Sequence, residues 1–341
     1  MNQSNFTKKP TVGLAFSGAS SRSVFYIGFL EVLKEHKFPI DYIAAMSGGA
    51  VIAASYACDT LPEVKKLAFS MNRELIFTLI ERSRARGGLY TLEKVESTLR
   101  VYTKNKTFEN VYPRLGFVAT DLSAGEEVTL QMGDIAKAVC ASCTLPGVFQ
   151  PMEWGNRQLV DGGIVNIVPG NVARAANIDV VIGVDMRATR HVFSRWQIVL
   201  KQIVDGIKQV LWPSPLQKVW KNLAGLLDYE DNISFTHPTP NIYTVLDKSI
   251  DLAIKAQQRQ NDENFDCDML ISPDISHMPF WKKYLFLHFT DFSNTNDYYK
   301  SGRSTAEKYL PQFWQMLADK ESEMAKVDKH LAQLIEKNSN A

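Results

Sequence analysis

No stretch of about 18 consecutive apolar residues occurs in this chain, so the sequence argues against a membrane-spanning helix. Acidic and basic side chains nearly cancel. Lys and Arg number 38 against 37 Asp and Glu, a formal charge of +1, and no positive excess argues for nucleic acid as a partner. Cysteine is scarce: Cys58, Cys140, Cys143 and Cys267 are too few for a disulfide framework in 341 residues. Cys140 and Cys143 have the C-x-x-C spacing of a redox pair or half a zinc site. No second pair accompanies them, and their surroundings read as a small-residue helix, which favours buried structural thiols. Neither a metal nor a cofactor is expected. The first residues, Met1–Pro10, are polar and lack the apolar core of a secretory signal, so a cytoplasmic location is expected. Internal repeats and low-complexity tracts are missing as well.

What the chain does have is an ordinary globular composition, 45% hydrophobic and 22% charged, over a length that suits one large domain or two. Its first third alternates two periodicities. Thr11–Phe16 reads as a short buried strand and Ser17–Ser21 as a loop. Arg22–His36 carries apolar residues at helical spacing (Val24, Ile27, Leu30, Leu33). Ile40–Met46 is a second strand and Gly48–Cys58 a second helix. Strand, helix, strand, helix within so short a span implies a parallel sheet with crossover helices. Further along, Pro62–Arg82, Leu92–Thr103 and Ile135–Ser142 read as helices, with a mobile loop at Arg82–Gly88. Arg114–Thr120, Glu127–Gln131, Gln158–Gly163 and Val180–Asp185 read as strands.

Three of these junctions carry chemistry. The strand ending at Met46 meets Ser47-Gly48-Gly49, and a helix follows. A serine at such a turn is held out for attack on a carbonyl, provided its neighbours are small. The helix N-terminus beside it offers free N–H groups where an oxyanion would form. The usual pattern is G-x-S-x-G; here Ala45 takes the first position and Gly49 the last. Ser47 as a plain helix cap is the competing reading. The second junction, Ser17-Gly18-Ala19-Ser20-Ser21-Arg22, presents backbone amides to an anion. The third, Asp161-Gly162-Gly163, ends a strand in a tight turn that its glycines permit. Nucleophile, base and oxyanion donors are what an ester hydrolase needs. Six histidines leave a Ser-Asp-His triad open, with His237 or His277 in the right chain order. An elbow at residue 47 is early for that arrangement, and it leaves Asp161-Gly-Gly unexplained.

In this order the three segments resemble the patatin-like phospholipase family, whose members carry a glycine-rich oxyanion loop, then G-x-S-x-G, then D-G-G/A. The likeness extends to Tyr26–Leu33, Ala119–Gly125, Ala141–Pro151 and Asp161–Pro169, and covers roughly residues 11 to 190. It implies a three-layer α/β patatin-like fold with a mainly parallel central sheet. It also implies a Ser-Asp dyad without histidine: Ser47 as nucleophile, Asp161 as base, and amides of Gly18, Ala19, Ser20, Ser21, Arg22 and Gly48 as the oxyanion hole. Ala45, Gly49, Gly162 and Gly163 would support the motifs. The oxyanion loop departs from the family: Gly18 is kept, but Ala19, Ser20 and Ser23 replace glycines. A non-glycine residue held at positive φ there would be strained.

Residues 1–190 are therefore expected to form the catalytic core, and 191–341 a helical, aromatic-rich C-terminal region completing the same domain. Trp196–Leu211 reads as an amphipathic helix, and Trp212, Trp220 and Pro279–Phe289 add aromatics. These could cover an acyl-chain path, meet the inner membrane surface peripherally, or simply pack on the sheet. Ile242–Leu246 and Asp268–Ser272 look like late strands, and Tyr298–Lys337 like a long helix. The expected function is serine acyl hydrolysis of phospholipid or lysophospholipid esters. A catalytically weakened member that binds lipid or protein, or an acyltransferase on the same dyad, are the alternatives.

Overall fold

The structure is a computed structural model that describes residues 9–84, 87–186, 245, 249, 265–273 and 292–339. Its central sheet is built from β1 (Val12–Phe16), β2 (Tyr42–Ala45), β5 (Arg114–Asp121), β6 (Glu126–Leu130), β8 (Met152–Trp154), β9 (Arg157–Asp161), β10 (Val180–Val184) and β11 (Met269–Ile271). The order is β11-β10-β1-β2-β5-β9-β8, with β6 on the other edge of β5. The strands β11, β10, β1, β2 and β5 run parallel; β6, β8 and β9 run antiparallel to their neighbours. A small second sheet, β3 (Glu81–Arg82), β4 (Gly88–Thr91) and β7 (Gly147–Phe149), stands apart from it.

The parallel strands are apolar at nearly every position because both faces of the sheet are covered. Side chains alternate between the two sides. Val12, Leu14, Phe16, Ile43 and Ala45 enter the larger core with α1 (Val24–Glu35), α2 (Gly48–Ala57) and α6 (Ile135–Ser142). Ala15, Tyr42, Ala44 and Met46 enter the other, with Val172 and Ala173 of α7 (Gly170–Ala175). Helix, sheet, helix is thus the three-layer α/β arrangement with a mainly parallel sheet that the sequence implies.

The C-terminal region contributes α8 (Thr295–Ser339), which lies on α1. Gly28 and Gly302 allow this approach: a Cβ at Gly28 would collide with the Tyr299 carbonyl, and one at Gly302 with that of Phe25. Arg303 grips Glu35 with two bonds of 2.8 Å, while Lys65 and Tyr299 share Glu31 at 3.0 and 2.6 Å.

Some expectations need correction. Pro62–Arg82 is not one helix. It is α3 (Leu61–Ser70) and α4 (Arg73–Leu79), followed by β3. Asn72 causes the break, because its side chain accepts the Leu75 amide at 2.8 Å and restarts the helix as an N-cap. Part of the supposed loop at Arg82–Gly88 is strand, since Arg82 and Gly88 belong to β3 and β4. Of Ile242–Leu246 only Val245 is described, and it is helical rather than extended. Trp196–Leu211, Trp212, Trp220 and Pro279–Phe289 lie outside the described residues.

Candidate active site

The path of β5 explains how residues far apart in sequence meet. Its Phe117 pairs with Ala45 of β2 on one side and Leu130 of β6 on the other. β2 stops there. Two positions further on, Ala119 pairs with Asp161 of β9, and β6 still fills the opposite edge. So β9 takes over the edge that β2 leaves. The tips of the two strands converge, one carrying Ser47 and the other Asp161.

Ser47 adopts φ 50° and ψ −130°. A non-glycine side chain rarely visits this region; such strain costs about 1–3 kcal/mol and persists only where the surroundings impose it. Here they do. The Ser47 amide donates to Ser142 Oγ at 2.8 Å, and Ser142 Oγ donates to the Val118 carbonyl at 2.6 Å. Close approach imposes the rest. A Cβ on Gly48 would lie 2.9 Å from the Ser20 carbonyl oxygen, and one on Gly49 2.9 Å from that of Ser17. Both obstacles are backbone and cannot swing away. Although Ser47 occupies the N-cap position of α2, its hydroxyl makes no capping bond. The strand tip that carries Ser47 converges instead on Asp161. The plain-cap reading therefore fails.

Asp161 is buried at the end of β9. Its amide donates to the Thr144 carbonyl at 2.8 Å, its carbonyl accepts from Thr120 Oγ1 at 2.9 Å, and its Oδ1 accepts the Gly163 amide at 2.8 Å. Burial pushes its carboxyl up to about 6, against the pull of the Gly163 amide and the Ser47 side chain toward ionisation. A Cβ on Gly162 would run into the Val118 carbonyl, so this turn admits nothing larger.

The altered oxyanion loop keeps a definite shape. Ser17 anchors its start: its amide donates to Val184 O at 3.1 Å, and its Oγ accepts the Met186 amide at 2.9 Å. Tyr26 secures Ser17 from below, its hydroxyl donating to the Ser17 carbonyl at 2.8 Å. Ser20 then takes φ 51°, the left-handed conformation that a family glycine would adopt freely. The amides of Gly18, Ala19 and Gly48 donate to no protein acceptor among the described residues. Gly18 adjoins the nucleophile, since a Cβ there would lie 3.2 Å from Ser47 Cβ. Arg22 corrects the expectation of a donor: its amide is bound to the Ala19 carbonyl at 3.0 Å, with Nε 3.4 Å from the same oxygen. It closes the loop. Ser21 is buried within the turn, and Ala45 is fully buried at the strand end.

Sequence reasoning missed the roles of Ser17, Tyr26, Met46 and Ser142. The Met46 methyl fills the space that a Cβ on Gly18 or Gly163 would need, and so lies between the loop and the aspartate turn. Ser142 sits in a segment already noted as family-like, but only hydrogen bonding reveals its place. Cys140 is fully buried in α6, as expected of a structural thiol. No group of three or more His, Cys, Asp or Glu side chains among the described residues could hold a metal ion. His36 and His330 are exposed; His191, His237, His277 and His288 lie outside the described residues.

The family model "Patatin-like phospholipase" matches residues 14–174. An uncharacterized NTE family protein of Mycobacterium tuberculosis is 32% identical over 183 residues, 54% of this chain and 51% of that protein. Mouse patatin-like phospholipase domain-containing protein 6 is 26% identical over 183 residues, 52% of this chain and 13% of that protein. The chain spans about half the length of the mycobacterial relatives it matches at 32% identity. VipD from Legionella pneumophila has a TM-score of 0.42 at 14% identity, over 91% of this chain and 80% of that one. The matching segment, residues 14–174, contains the loop at Ser17–Arg22, the serine elbow and the aspartate turn, and is similar to the patatin-like phospholipase family.

Proposed function

We propose that this chain is a serine acyl hydrolase that cleaves carboxylic ester bonds of phospholipids or lysophospholipids through Ser47 and Asp161. The observation that carries the reading is the strained Ser47, at φ 50°, which makes no capping bond and stands at a strand tip that converges on the buried Asp161. Ser47 Oγ attacks the ester carbonyl carbon as its proton passes to Asp161. The amides of Gly18, Ala19 and Gly48 hold the oxyanion of the tetrahedral intermediate. The carbon–oxygen bond to the leaving alcohol breaks, and Asp161 returns the proton to that oxygen. Water then gives a proton to Asp161 and attacks the acyl-enzyme, and collapse of the second intermediate releases the fatty acid and restores Ser47. This chemistry requires no cofactor.

The apolar substrate favours a lipid surface, met peripherally from the cytoplasm. Exposed Phe77, Leu89 and Leu145 support this, and Leu145 directly follows the residue whose carbonyl holds Asp161. No described helix is long and apolar enough to cross a membrane.

A fluorophosphonate probe with peptide mapping tests the reading, together with hydrolysis of a lysophospholipid panel. Labelling at Ser47, lost in Ser47→Ala, and hydrolysis lost in both Ser47→Ala and Asp161→Asn are expected. Hydrolysis that survives both substitutions overturns it.

A further inference from the structure

The far end of the aspartate turn is held by groups that take no part in the chemistry proposed above. From Asp161 the chain bends back on itself, and the amides of Val165 and Asn166 both donate to the Gly162 carbonyl, at 3.1 and 3.0 Å. The bend ends in Asn166, which is buried. Its Nδ2 donates to Glu127 Oε2 at 2.8 Å and to Asn171 Oδ1 at 2.7 Å. Asn171 Nδ2 donates in turn to the Glu127 carboxylate at 3.2 and 3.3 Å. Glu127 belongs to β6, where it pairs directly with Thr120 of β5. Thr120 Oγ1 donates to the Asp161 carbonyl at 2.9 Å. The contacts close a ring that runs from Asp161 through its turn to Asn166, across Glu127 and Thr120, and back to Asp161.

We propose that Asn166 is a positioning residue for Asp161: by clamping the end of the aspartate turn to Glu127, it fixes where the Asp161 carboxyl stands relative to Ser47. This rests on the reading of Ser47 and Asp161 as nucleophile and base. Two glycines follow the aspartate directly, and glycine restrains its own backbone least. A turn built this way keeps its shape only if something beyond the glycines holds it. The turn also carries the carboxyl's own donor, since the Gly163 amide bonds Asp161 Oδ1 at 2.8 Å. A shift of the turn therefore moves both the base and the amide that orients it. Asparagine suits the clamp because a carboxylate can only accept, so its partner must bring an N–H. A bond from an amide to a charged acceptor is also stronger than one between neutral groups. Aspartate has nearly the same shape, but at position 166 it would set one carboxylate against another.

The test is a double-mutant cycle on the full chain, with Asn166→Asp, Glu127→Gln and the two combined. Its readout is the second-order rate of fluorophosphonate labelling at Ser47, taken per folded molecule and well below each melting temperature. Asn166→Asp is expected to label about tenfold slower than wild type or worse, since it replaces the clamp by repulsion. Glu127→Gln keeps an oxygen that accepts, and is expected within about threefold of wild type. The combined variant reverses donor and acceptor, with the glutamine amide donating to the new carboxylate. It is expected to return to within about threefold of wild type. With a water-soluble ester, kcat should follow the labelling rates while KM stays within about twofold. A residue that only stabilises the fold would move melting temperatures and leave the labelling of folded protein unchanged. Asn166→Asp labelling at the wild-type rate, or a combined variant as slow as Asn166→Asp, overturns the proposal. Should Asn166→Asp not fold, Glu127→Ala decides, because it removes the acceptor from a half-buried position on β6; labelling at the wild-type rate then overturns the proposal. Wild type that fails to label at Ser47 overturns instead the reading of the nucleophile.

Discussion

Ala45 and Asp161 pair with Phe117 and Ala119, two positions apart on one edge of β5. Strand spacing puts the two partners roughly 7 Å apart along that edge. A parallel strand ends there and an antiparallel strand arrives, and this handover sets the reach between the nucleophile's turn and the base. The pairing also makes the site sensitive to small changes in neighbouring backbone, which leads to five expectations.

Asp161 must be ionised to take the Ser47 proton, and burial raises its carboxyl to about 6. Hydrolysis should therefore fall about tenfold per pH unit below that value and level off above it. A kcat/KM profile with a water-soluble ester checks this. A profile that stays flat down to pH 4.5 would contradict the role given to the carboxylate.

The same shift has a stability consequence of opposite sense. A carboxyl whose folded pKa is raised from 3.8 to about 6 contributes stability below the lower value, and this is lost as pH rises through the higher one. The loss reaches about 3 kcal/mol above neutrality. Asp161→Asn keeps an acceptor for the Gly163 amide but has no charge to bury. Its stability gain over wild type should be larger at pH 8 than at pH 5, as read from urea midpoints.

Ser20 holds φ 51° at a loop position that glycine would occupy freely. Ser20→Gly should relieve about 1 kcal/mol of strain, offset in part by the entropy of a freer unfolded chain. Labelling at Ser47 should be kept or quickened. A loss of labelling would mean that the serine side chain itself contributes to the site.

Ser142→Ala leaves the Ser47 amide and the Val118 carbonyl without their partner. Destabilisation of about 1–3 kcal/mol is expected by chemical denaturation. It should come with slower probe labelling of the protein that remains folded.

Gly48→Ala should reduce labelling on the order of 100-fold or more while the protein stays folded. The added methyl would stand 2.9 Å from the Ser20 carbonyl oxygen and push the oxyanion loop off the elbow. Circular dichroism and labelling on the same sample separate loss of fold from loss of the hole.

Much of this was readable before any coordinates. Apolar runs such as Val12–Phe16 and Val180–Val184 identify buried parallel strands because both faces must avoid water. Ile135–Ser142 falls where its spacing puts it. The break at Asn72 did not show, because asparagine at a helix start looks like any polar residue until its side chain finds the Leu75 amide. The loop's missing glycines looked damaging, yet Ser17, Tyr26 and the Ser20 conformation keep the loop in place by contacts that no motif encodes.

Local chemistry in the chain was enough to mark Ser47, Asp161 and the amide-bearing loop, because an elbow, a glycine turn and an anion-binding bend each depend on neighbouring residues. Which groups stand beside them was a matter of folding in three dimensions. Ser142 is about a hundred residues from the elbow and reaches it, as Thr144 reaches Asp161, because α6 ends where β2 and β9 both end. The rise of the Asp161 carboxyl has the same origin. Burial is a property of the packed molecule, not of the Asp161-Gly162-Gly163 motif.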